Sequence, residues 1–152
     1  MTSIKSQMDA ILRRKDNRLA AIADEIAEEV KGELKEQIYD LWYSCYQPID
    51  YSRTFEVIDA VTAEVKRYGR CNYTVRVFFD YDKIQSRAVD RGWNSHMGFD
   101  NQRFAEYLVT SMDKGMGGSP NNPRYGEAAM FIDTVQAYAE NLAKKLLKQK
   151  LK

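Results

Sequence analysis

From Leu19 onward, apolar residues recur every three or four positions: Leu19, Ile22, Ile26, Val30, Leu34, Ile38, Leu41 and Cys45. That spacing sets them on one stripe of an α-helix. Glu29, Lys31, Glu33, Lys35 and Glu36 keep the opposite side wet. The pattern predicts a helix over 19–47. Gly32 weakens it by about 1 kcal/mol relative to alanine, and Pro48 stops it. Residues 1–18 are more polar, and a separate short helix or a mobile arm is expected there. A single stripe of this length needs a partner surface, from the chain's own sheet or from a neighbouring copy.

At Val61 the period changes to two. Val61, Ala63 and Val65 alternate with Thr62, Glu64 and Lys66, as in a half-buried strand. Tyr68-Gly69-Arg70-Cys71-Asn72 has turn chemistry, and Tyr73, Val75, Val77 and Phe79 then share one face of a second strand. The two strands predict a hairpin over 61–79. Phe55 to Ala60 fits either a helical turn or the start of the first strand. Neither period holds from Asp80 to Gln102, which reads as a long loop. A short helix is expected over 103–114, then a loop from Gly115 to Pro123 rich in glycine and proline. A last helix is expected over 127–152, with Phe131, Val135, Tyr138, Leu142 and Leu146 as its stripe. The order implies an α+β fold: long N-terminal helix, hairpin-based antiparallel sheet, long loop, short helix, and C-terminal helix packed on the sheet.

Composition narrows the function classes. The 152 residues fit one domain, and a domain of this size buries roughly 68–70% of its unfolded surface. Lysine plus arginine (23) nearly balances aspartate plus glutamate (22), so the net charge draws the chain to neither nucleic acid nor membrane. The ten tyrosines suit a surface that is wet in one state and covered in another. Cys45 and Cys71 match no metal-ligand spacing and are expected to be buried free thiols. Met1 to Lys5 do not lead into a signal peptide, and no segment approaches the roughly 18 apolar residues of a membrane span. The expected place of synthesis is a cytoplasm.

Three patterns invite chemistry. Asp80, Asp82, Asp90 and Asp100 surround the single histidine, His96, and would serve a small metal-dependent hydrolase if they converged. Aspartates also shape turns by bonding nearby backbone. Ser95 sits in no nucleophile-elbow pattern. Gly115-Met116-Gly117-Gly118 lacks the preceding strand and the following lysine of a phosphate loop. The lysines from Lys144 to Lys152 suit an anionic surface or DNA, and equally complement the helix macrodipole at about 0.3–1 kcal/mol each. No catalytic residue, cofactor or metal site is assigned.

The most distinctive segment runs from Ile38 to Thr54. Its aromatic helix end, Tyr39, Trp42, Tyr43 and Tyr46, meets Pro48 and then Tyr51-Ser52-Arg53-Thr54. Locally this makes a corner: Pro48 turns the chain, Tyr51 packs back, and Arg53 bonds the carbonyls freed at the helix end. The segment also resembles the tail-completion or neck proteins of long-tailed bacteriophages, the head–tail joining family. The matching elements are Tyr43, Tyr46 and Pro48; Tyr51, Arg53 and Thr54; the short stretch Phe55 to Ala60; and the hairpin closing on Phe79-Asp80. Trp93 and His96 follow in the long loop, then Arg124 and Met130-Phe131-Ile132-Asp133-Thr134. The chain departs from the family pattern at Phe55-Glu56-Val57 and at Arg124-Tyr125-Gly126. The resemblance implies a virion structural protein, made in the host cytoplasm, whose copies form a ring between the head connector and the tail tube. Its implied partners are stopper, terminator and tube proteins. Passing DNA would be touched at most non-specifically, and no membrane or cofactor is implied. A tail terminator capping the tube is the nearest alternative, and the hydrolase is the alternative of another class.

Overall fold

The computed structural model describes residues 4–44, 55–84, 101–114 and 131–151. Helix α1 (Ile4–Ile38) continues through a π-turn, Tyr39–Tyr43. The short helix α2 (Glu56–Asp59) leads into strands β1 (Val61–Gly69) and β2 (Asn72–Phe79). A 3₁₀ turn (Tyr81–Lys83) and helices α3 (Asn101–Lys114) and α4 (Phe131–Lys150) complete the order. The fold class is α+β, as the change of period from three-to-four to two implied.

The hairpin pairs Val61 with Phe79, Ala63 with Val77 and Val65 with Val75, so both apolar rows share one face. Helix α1 lies across that face, and α4 lies along α1 beside it. The main core gathers Val30, Leu34 and Ile38 of α1 with Val57, Val61, Ile84, Val109, Met112 and Phe131. Phe131 also joins α4 to the sheet, with its ring edge-on to Phe79 at 6.2 Å. The lysine-rich end of α4 reaches α1 through an ion pair of Lys150 with Glu25.

Helix α1 differs from expectation at both ends. It starts at Ile4, with no break between a short N-terminal element and the stripe that begins at Leu19. The polar residues of 4–18 are held in helix because Asp16 binds the hairpin tip, a contact between residues more than fifty positions apart. At the other end the α-helix stops at Ile38, and Ser44 N–H reaches back to Tyr39 C=O at 2.7 Å. A π-turn is wider than an α-turn, so each residue advances through a smaller angle. Leu41, placed by the α-period on the buried stripe, is therefore 41% exposed. Trp42 and Tyr43 pack on the core in its place. Leu41→Ala is accordingly expected to change stability by less than about 0.5 kcal/mol. Trp42→Ala should cost about 2–3 kcal/mol, below the roughly 3–5 of a fully buried aromatic. Urea unfolding of both variants checks the order, and a larger loss at Leu41 would contradict the π-turn.

Candidate interaction site

The corner is built by the end of α1 and the start of α2. Tyr43, half-buried, meets the ring of Phe55 at 4.8 Å between centroids, tilted by 36°. The ring contact brings together residues on either side of 45–54. Phe55 has φ 57, a left-handed conformation that is uncommon outside glycine. It is the residue before α2, and its carbonyl accepts N–H bonds from Ile58 (3.0 Å) and Asp59 (3.2 Å). Strain of this kind costs of order 1–3 kcal/mol, and an aromatic pair offsets about 0.5–1.5 of it. The helical alternative for Phe55 to Ala60 is thus the one adopted. Of the corner residues singled out from the sequence, Tyr43 is placed. Tyr46, Pro48, Tyr51, Arg53 and Thr54 lie outside the described residues, as do Trp93, His96 and Arg124.

Asp80 closes the hairpin onto the short turn that follows it. Asp80 N–H donates to Ala60 C=O at 2.8 Å, and the Asp80 carboxylate pairs with Lys83 at 3.2 Å. Lys83 also donates to Thr62 Oγ1 at 3.2 Å, fastening the 3₁₀ turn to the base of β1. Asp82 is exposed, and Asp90, His96 and Asp100 lie outside the described residues. Among the described residues no group of three or more His, Cys, Asp or Glu side chains is placed to hold a metal ion. Cys71 is a free thiol but is exposed, contrary to expectation, because it occupies the hairpin tip with φ 60. Cys45 lies outside the described residues.

Two polar groups that the sequence did not single out organise the surface. Asp16 is buried, and its Oδ1 accepts from Cys71 N–H (2.7 Å) and Tyr73 O–H (3.0 Å). Its Oδ2 accepts from the Arg67 guanidinium at 2.5 Å. The Cys71 amide holds the carboxyl below its ordinary range of 3.8, against the opposing effect of burial, with Tyr73 and the Arg67 and Arg70 charges adding to the lowering. Burial, reinforced by the bond to Asp16, pushes the Tyr73 hydroxyl above 10.0. Gly69 at φ 150 lets β1 turn tightly enough to aim the Cys71 amide at Asp16. The second group is Asp113 at the end of α3, whose Oδ1 accepts Ile132 N–H at 3.0 Å and so caps the first turn of α4. The only local signal for either was an acid inside a polar run, because both partners are remote in sequence.

No protein-family model, curated protein or solved structure matches the chain.

Proposed function

We propose that this chain is a structural, protein-binding subunit of a phage neck, a tail-completion component whose copies ring the joint between head connector and tail tube. The observation that carries the reading is the tyrosine-rich corner, in which the end of α1 turns into α2 and the hairpin in the order found in that family. The contact of Tyr43 with Phe55 supports it by closing the corner on itself. A joint of this kind needs a rigid body and surfaces that neighbours can cover, and no active site. Here the body is α1 clamped to the hairpin, and the segments 80–102 and 115–126 are the proposed contacts with neighbours.

The test is assembly without the chain. Particles made in its absence are expected to yield filled heads and finished tails that remain unjoined, and adding the purified chain should join them. Tails of irregular length would instead favour the terminator. Normal particles would remove both readings.

A further inference from the structure

The near-neutral net charge conceals two ends of opposite sign. Residues 4–18 of α1 carry five basic residues, among them Arg13, Arg14 and Lys15, against two acidic ones, Asp9 and Asp16. Residues 24–40 carry seven acidic residues, including Glu28, Glu36 and Asp40, against two lysines. At about 1.5 Å per residue the centres of these two stretches lie roughly 30 Å apart. That is several times the Debye length of about 8 Å at physiological salt, so each end keeps its own sign.

Each end also carries uncovered apolar surface. Helix α4 lies along one side of α1, and Lys150 near its end pairs with Glu25. Beyond it, Ile4, Met8 and Ile11 continue along α1 and are 80%, 61% and 53% exposed. Their spacing of four and three puts them on one stripe. At the acidic end Tyr39 is 50% and Phe55 40% exposed, and Glu36 and Asp40 share the side of the helix that carries Tyr39. Two basic ends facing each other would repel. A basic apolar stripe facing an acidic apolar end is matched in both respects.

We infer that the N-terminal stripe of α1, Ile4, Met8 and Ile11 continued by Lys15 and Arg18, docks on the acidic end of α1 in a second copy, around Glu36, Tyr39 and Asp40. Such a head-to-tail contact uses two different surfaces of one chain, so it propagates from copy to copy and gives a ring when its rotation closes. It would supply the neck ring with its subunit contact, and rests on that reading for its biological role alone. The contact itself is a property of the purified chain.

The rigidity of α1 makes the test decisive. Met8 and Tyr39 are more than about 40 Å apart on one rod, whereas a disulfide needs Cα atoms within about 7 Å. A full-length chain carrying Met8→Cys and Tyr39→Cys, with Cys45→Ser and Cys71→Ser, can therefore join these thiols only between copies. Mild oxidation is expected to give a ladder of dimers, trimers and longer species at low salt, lost at about 1 M salt, where screening falls within about 3 Å. Met8→Cys or Tyr39→Cys alone, in the same background, should stay monomeric. Adding Lys15→Glu and Arg18→Glu should abolish the ladder, and Glu36→Lys and Asp40→Lys in the opposing copy should restore it. The inference is overturned if no ladder forms while a maleimide labels both thiols. It is equally overturned if Met8→Cys alone dimerises as readily, or if the charge reversals leave the ladder unchanged. Binding of the monomer to anionic vesicles or nucleic acid, with no ladder, would reassign the basic stripe. Failure here would leave the joining of heads and tails untouched, and the reverse also holds.

Discussion

Phe131→Ala is expected to lower stability by about 3–5 kcal/mol, a large part of the roughly 5–15 available to a domain. The ring is fully buried, lies edge-on to Phe79, and stands where α4 enters the core shared with α1, α2 and α3. Its loss leaves a cavity that three converging elements cannot all close, because each is held elsewhere as well. Denaturant unfolding should show a lower midpoint with an unchanged slope. A loss under about 1 kcal/mol would mean that α4 contributes little to the core.

Asp16 is expected to matter next, and its effect should depend on pH. Asp16→Asn keeps one acceptor oxygen for the Cys71 amide but turns a donor toward the Arg67 guanidinium, so the variant should melt well below the parent at neutral pH. The folded carboxyl is held below its ordinary 3.8. As pH falls toward and through that folded value, the unfolded chain takes up a proton before the folded one does. The stabilisation is therefore complete above about pH 4 and fades on acidification. The gap between parent and variant should narrow in that range. Tyr73 works in the opposite direction: its hydroxyl is raised above 10.0, so its contribution persists at neutral pH and is lost on strong alkalinisation. Melting curves over an acid series check the first claim, and a constant gap between Asp16→Asn and the parent would contradict it.

Local periodicity carried much of the fold. Alternation from Val61 to Phe79, interrupted by Gly69 and Asn72, was enough for the hairpin and its inward face. The stripe from Ile22 to Ile38 was enough for the buried side of α1. The α-period failed where a single hydrogen bond moved by one residue, at Tyr39–Tyr43, because the sequence of a π-turn differs little from that of the helix before it. Asp16 and Asp113 were illegible for another reason. A carboxylate in a polar stretch looks the same whether water or a remote amide receives it. The segregation of charge along α1 was present in the sequence throughout, but a net sum cannot register position.

The cap that Asp113 places on α4 makes two helices far apart in sequence depend on each other. The first-turn amides of a helix lack partners inside it, and here the end of α3 supplies one of them. The join between the two helices is thereby made by side chain and backbone on either side of 115–130, independently of how many residues run between. The start of α4 therefore depends directly on the end of α3, and a change that unwinds the end of α3 leaves a first-turn amide of α4 without its partner.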